Sequence, residues 1–191
     1  MTFDTETTAL VVVDMQNDFV HPDGALYAPP SEAAIESCNE LIEQATAADI
    51  PIVFTKDTHT DEQFKDVTYY DEFDRWGEHA KAGTWGVEIV DDLNAEETAT
   101  RVLEKPTYNA FHETDLDEWL TERGVETVII CGTLANVCVM HTASGAALHD
   151  YQPVVVSDAL GYIEENDKEY AVEHTEWLFG DTTTRAELLF E

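Results

Sequence analysis

Basic side chains are scarce in this chain: 9 lysines and arginines stand against 41 aspartates and glutamates, a formal net charge of −32 over 191 residues. Nucleic-acid binding depends on basic stripes that displace counterions from phosphates, and none is present. The acids run along the whole length instead of gathering in a tail, which describes an acidic surface and not an acidic interaction segment. Self-repulsion at this charge opposes a compact fold in dilute salt, whereas a Debye length of ~3 Å at 1 M salt removes most of it. The composition therefore predicts a cytoplasmic protein of a high-salt organism, in preference to an acidic mimic of nucleic acid.

Cysteine is scarce too. Cys38, Cys131 and Cys138 make an odd set without a disulfide-framework spacing, so reduced thiols and an intracellular setting are expected. Cys38 falls on the apolar face of an expected helix and Cys131 in an expected strand, so both read as core fillers. Apolar runs long enough to span a bilayer are missing. The opening Met1-Thr2-Phe3-Asp4-Thr5-Glu6 has no basic segment followed by an apolar one, so no signal peptide is expected. Repeats, low-complexity tracts and linkers are also missing. With 43% hydrophobic residues, the chain reads as one globular domain over residues 1–191.

What is present is alternation. Ala9–Val13, Ile50–Thr55, Thr127–Cys131 and Pro153–Ser157 are short β-branched runs, and continuous apolarity marks strands covered on both faces. Thr100–Leu103 and Thr182–Thr184 are weaker runs of the same kind. Between them lie helical patterns. Ser31 is the expected N-cap of a helix with Ile35, Cys38, Ile42 and Ala45 on one face. Thr114 is the expected cap of another, with Leu116, Trp119 and Leu120 inward and Gly124 at its end. Cys138–His149 and Asp167–Phe179 complete the set. Alternating strands and helices predict an α/β fold with a mainly parallel, roughly six-stranded sheet.

Ligands of such sheets bind at the carboxyl ends of the strands. The first strand ends at Asp14, the second at Asp57-Thr58-His59, the next at Lys105 and the fourth at the turn Gly132–Cys138. A thiol at a helix N-terminus meets unpaired N–H groups and the positive end of the helix dipole, both of which favour thiolate. Cys138 is thus either an activated nucleophile or a buried small residue. Asp14 could accept its proton and later return it to a departing amine, while the Lys105 ammonium would stabilise both anions. Taken together at one sheet edge, the three favour the nucleophile.

Asp57 and His59 are two apart in an extended segment, which sets both side chains on one side. His79 follows in Trp76-Gly77-Glu78-His79. One carboxylate and two imidazoles suit a divalent metal such as Zn, Mn or Fe; surface histidines are the competing reading.

Three segments resemble the signature segments of the isochorismatase-like cysteine hydrolases, a superfamily that includes nicotinamidases. They are Val11-Val12-Val13-Asp14-Met15-Gln16-Asn17-Asp18-Phe19, Lys105-Pro106-Thr107-Tyr108-Asn109-Ala110-Phe111 and Gly132-Thr133-Leu134-Ala135-Asn136-Val137-Cys138-Val139. The resemblance implies a three-layer α/β/α sandwich and an Asp14–Lys105–Cys138 triad. It also implies a cis peptide between Thr133 and Leu134, with the N–H groups of Leu134 and Cys138 as the oxyanion hole. The nicotinamidase branch further implies Asp57, His59 and His79 as metal ligands and Phe19 and Trp76 as residues flanking a flat heteroaromatic ring. Thr58 and Gly77 stand where that branch usually has Trp and Pro, and Asn136-Val137 is more like the isochorismatase-type branch. The long acidic insertion Asp61–Asp74 either reshapes the pocket or serves salt adaptation. The expected activity is conversion of nicotinamide to nicotinate and ammonia through a thioester, in a homo-oligomer without nucleic-acid or membrane partners. A related hydrolase of other small amides or of isochorismate, and a non-catalytic binding protein, are the alternatives.

Overall fold

Six short runs line up side by side, and three of them, Thr8–Val13, Ile52–Asp57 and Thr127–Gly132, are buried along their whole length. The computed structural model describes residues 1–65 and 72–191; the middle of the acidic stretch, residues 66–71, lies outside the described residues. In chain order come β1 (Thr2–Phe3), β2 (Thr8–Val13), α1 (Asn17–Val20), α2 (Pro29–Ala47), β3 (Ile52–Asp57), α3 (Glu72–Trp76) and α4 (Ala95–Thr98). Then follow β4 (Arg101–Lys105), α5 (Leu116–Thr121), β5 (Thr127–Gly132), α6 (Met140–Leu148), β6 (Gln152–Leu160), α7 (Glu165–His174), β7 (Asp181–Thr183) and β8 (Leu189–Phe190).

The main sheet has the order β4-β3-β2-β5-β6-β7, parallel throughout. β1 and β8 form a separate parallel pair. Side chains alternate across the sheet, so β2 feeds two cores. Leu10 and Val12 join Ile52, Phe54, Ile129 and Cys131 beneath Cys38, Leu41, Ile42 and Ala45 of α2. Val11 and Val13 join Val53, Val128 and Ile130 against Leu116 and Leu120 of α5 and Ala143 and Ala146 of α6. This is the three-layer α/β/α arrangement the resemblance implied. No helix among the described residues is long and apolar enough to cross a membrane.

Four helix starts differ from expectation. α2 begins at Pro29, with Ala28 at the N-cap position and no side-chain cap, because proline with its fixed φ suits the first turn and lacks the N–H a cap would serve. Ser31 lies inside the helix, and its Oγ is 2.7 Å from Oγ1 of Thr133. At α5 the N-cap position is Asp115, one residue after Thr114, whose hydroxyl donates to the Ala110 carbonyl. The helix carrying Cys138 opens with a π turn over Ala135–Val139, so the cysteine sits within its first turn and not at its start. α7 begins at Glu165, with Glu164 and Asp167 forming a reciprocal capping box.

Candidate active site

Parallel strands β2, β3, β4 and β5 end on the same edge, and each delivers one group. Asp14 follows β2 and adopts a left-handed backbone, φ 46°. Its Oδ1 accepts a 2.6 Å hydrogen bond from the Thr55 hydroxyl, and the same hydroxyl accepts from the Asp14 N–H at 3.2 Å. Lys105 closes β4. Its Nζ stands 2.7 Å from Asp14 Oδ2 and 3.8 Å from Asp57 Oδ1, donates to the Thr107 carbonyl at 2.8 Å and reaches Cys138 Sγ at 3.8 Å. Both Asp14 and Lys105 side chains are fully buried.

Such burial reshapes every charge. Desolvation pushes the Asp14 carboxyl up and the neighbouring Asp57 adds to this; the Lys105 ammonium opposes both but does not cancel them. Desolvation would lower Lys105, yet Asp14, Cys138 and Asp57 outweigh it and hold the ammonium well above its ordinary value. The Cys138 thiol is pushed well above 9.0, first by burial and then by the two carboxylates, against the pull of Lys105. This burial acts against the pull toward thiolate that the helix terminus supplies. The dipole favours the anion, whereas burial disfavours it. Burial thus favours the thiol form of Cys138, and the raised Asp14 carboxylate is a stronger base than an ordinary aspartate.

The turn before the cysteine is tightly determined. Gly132 has φ 112°, and a Cβ there would come within 2.2 Å of the Val13 carbonyl oxygen. The Thr133–Leu134 peptide is cis, as the resemblance implied. The Ala135 N–H donates to the Gly161 carbonyl and those of Val137 and Val139 to the Leu134 carbonyl. The Leu134 N–H has no protein acceptor among the described residues.

Beside the triad, ligand atoms of Asp57, His59 and His79 lie within 4.8 Å of one another. All three residues are buried, which excludes the surface-histidine reading. Both ring nitrogens of His59 and Oδ1 of Asp57 lack a hydrogen-bond partner among the described residues, although His59 Nε2 is 3.3 Å from Asp57 Oδ2. Buried polar atoms left so are costly unless something further occupies them. His79 Nδ1 donates to the Gly77 carbonyl at 2.8 Å, which turns Nε2 toward the cluster, the usual arrangement around a metal-ligating imidazole. Burial lowers His79, but Glu72, the Gly77 carbonyl and Asp57 raise it further. For Asp57 the opposite holds: burial raises it, and Lys105, His59 and His79 bring it below its ordinary value. These residues fit a divalent cation.

The sequence reading missed four supporting residues. Gln16 accepts from the Asp57 N–H and donates to the Asp57 and Val87 carbonyls, each at 2.8 Å, so it clamps the backbone of a candidate ligand. Thr55 holds Asp14. Glu72 is buried with Oε1 3.7 Å from His79 Nε2. Asp18 binds two loop N–H groups. Polar residues immediately after or within apolar runs were the available signal, yet their partners are distant in sequence.

A cavity of about 590 Å³ opens over this edge. Cys138, Asp57 and His79 lie in its wall together with Phe19, Trp76, Leu134, Tyr108 and His141. Phe19 is buried and meets His79 edge-on at 6.0 Å; Trp76 is 55% exposed. All nine residues singled out from sequence therefore come together at one sheet edge.

Known proteins share this architecture. The isochorismatase domain profile matches residues 8–187. The Saccharomyces cerevisiae nicotinamidase is 28% identical over 184 residues, covering 78% of this chain and 85% of its own. Ureidoacrylate amidohydrolase of Azorhizobium caulinodans is also 28% identical, over 204 residues covering 95% and 88%. The structure of Pyrococcus horikoshii pyrazinamidase in complex with zinc superposes with a TM-score of 0.80 at 32% identity, covering 93% of this chain and 98% of that one.

Proposed function

The chain belongs to the isochorismatase family, and from that premise we propose that it is a cysteine amidohydrolase whose substrate is nicotinamide. The observation that carries the activity is the buried contact set of Lys105 Nζ, 2.7 Å from Asp14 and 3.8 Å from Cys138 Sγ. It supplies a base, a fixed cation and a nucleophile in one water-poor place. Asp14 takes the thiol proton as sulfur attacks the carboxamide carbon. The oxyanion forms against the N–H groups of Leu134 and Cys138. Asp14 then gives its proton to the departing amine, ammonia leaves, and a thioester is held on Cys138. A water molecule loses a proton to Asp14 and adds to the thioester; the sulfur leaves, recovers that proton, and nicotinic acid is released. Lys105 stays protonated throughout and steadies each negative charge in turn.

The choice of an aromatic amide is supported by the Asp57, His59 and His79 cluster beside Cys138 and by the aromatic wall of Phe19 and Trp76. When bound, a divalent metal held by Asp57, His59 and His79 supplies a Lewis acid for a ring nitrogen. The chain's own contribution is to stack the ring and to exclude water with Leu134 and Val137. The similarity to ureidoacrylate amidohydrolase, equal in identity to that with nicotinamidase, favours an open-chain ureido amide as the second reading. Ammonia release from nicotinamide and from ureidoacrylate, each with and without chelator, separates the two. Chelator-sensitive turnover of nicotinamide supports the first reading, and chelator-insensitive turnover of ureidoacrylate alone would reverse it.

A further inference from the structure

Asp18 is buried, at 8% exposure, yet it is neither in the triad nor in the Asp57, His59 and His79 cluster. Its carboxylate is used up by two backbone N–H groups from different loops. Oδ2 accepts from Ala80 at 2.7 Å and Oδ1 from Ala25 at 3.1 Å. The Asp18 main-chain carbonyl accepts from Leu26 at 2.8 Å. Space is cleared for the carboxylate by Gly86, where a Cβ would come within 2.3 Å of both oxygens.

Ala80 is the peptide that joins the two histidines. It follows His79 directly, and its carbonyl accepts from the His59 N–H at 2.9 Å, while the His59 carbonyl accepts from Ala82 at 2.9 Å. Ala80 is completely buried and lies in the left-handed region at φ 47°, which side chains bearing a Cβ adopt at a steric penalty. A residue in that conformation persists only where its surroundings hold it. The bond from Asp18 is the hold on its N–H. On the other side Ala25 and Leu26 line the substrate cavity, so one carboxylate fastens the cavity rim and the histidine pair to the same short helix.

We propose that Asp18 is the positioning residue of the metal site: by fixing Ala80 it sets His79 and His59 for a divalent cation, and by fixing Ala25 it ties the cavity rim to that same arrangement. The inference rests on the reading of Asp57, His59 and His79 as a metal site. Asparagine in its place keeps the shape but has one acceptor oxygen for two N–H groups and turns an N–H toward the other. Loss of such outer partners commonly weakens metal binding by about tenfold to a hundredfold.

The test is zinc affinity, measured by competition with a chromophoric chelator on the whole chain, for wild type, Asp18→Asn, Ala80→Gly and the double variant Asp18→Asn/Ala80→Gly. Asp18→Asn is expected to bind zinc at least about tenfold more weakly. Glycine reaches φ 47° without support, so the double variant should recover at least about threefold of that loss, which a merely destabilised fold would not do. Should Asp18→Asn prove insoluble, Gly86→Ala displaces the same carboxylate and carries the same expectation. Wild-type zinc binding unchanged in Asp18→Asn, or a double variant no tighter than Asp18→Asn, overturns the positioning role while leaving the metal site standing. Wild type that binds no zinc overturns both.

Discussion

Lys105 has three anionic or polarisable neighbours, Asp14, Asp57 and Cys138, all within 3.8 Å. A charge in that position cannot be removed quietly, because the two buried carboxylates, Asp14 and Asp57, would lose the cation they share. Lys105→Met is expected to lose at least about a hundredfold in kcat/KM. It should also lose roughly 3–5 kcal/mol of stability, the range for breaking a buried pair from one side; urea titration checks this. Asp14 governs the acid limb. As its carboxyl is raised above the ordinary 3.8 and must be ionised to accept the thiol proton, activity falls as pH drops through that raised value. The limb in kcat/KM should therefore lie at higher pH than a free aspartate would give, and Thr55→Val, which removes a hydrogen bond that lowers Asp14, should move it higher still. At this scale the sequence was legible where strand ends carried chemistry, as at Asp14, Asp57, His59 and Lys105. It was not legible for Glu72 or Gln16, whose partners depend on how two loops fold back. The burial that raises the Cys138 thiol was not legible for a related reason: it is a property of the packed edge, which the local strand-to-helix pattern does not contain.

Among the elements, the junction of β2 with β5 is the least forgiving. Gly132→Ala would force a Cβ to 2.2 Å from the Val13 carbonyl at φ 112°, with the chain end that carries Cys138 just beyond. A loss of roughly 2–4 kcal/mol is expected from backbone strain and overpacking, together with loss of activity; thermal unfolding and turnover report the two separately. The contact between α2 and the nucleophile turn gives a milder case. Ser31→Ala removes the 2.7 Å hydroxyl pair with Thr133 and should cost about 1–3 kcal/mol, since Thr133 is left buried with one partner fewer. Strands were easy to see in the sequence because the runs at β2, β3 and β5 are buried on both faces and therefore continuously apolar. Ser31 was misread as a cap because its hydroxyl serves a residue 102 positions away, and Pro29 starts the helix unaided.

At the scale of the molecule, −32 formal charges surround a site whose own charges are nearly all buried. Salt should therefore act on stability and spare the chemistry. The unfolding midpoint is expected to rise steadily between 0.1 M and 2 M KCl as the Debye length shrinks from ~10 Å to less than 3 Å. kcat at fixed temperature, taken where the protein is fully folded at both salts, should change little, because pairs such as Asp14 and Lys105 are shielded from the solvent ions. The central claim is that Cys138 carries the acyl group during hydrolysis of a carboxamide. Its most direct test is rapid acid quench of the wild-type protein turning over nicotinamide, with mass spectrometry of the Cys138 peptide and ammonia measured in parallel. The account expects a nicotinoyl thioester on Cys138 and no ammonia from Cys138→Ala; ammonia release by Cys138→Ala at the wild-type rate, with no acyl group on the wild-type cysteine, would contradict it.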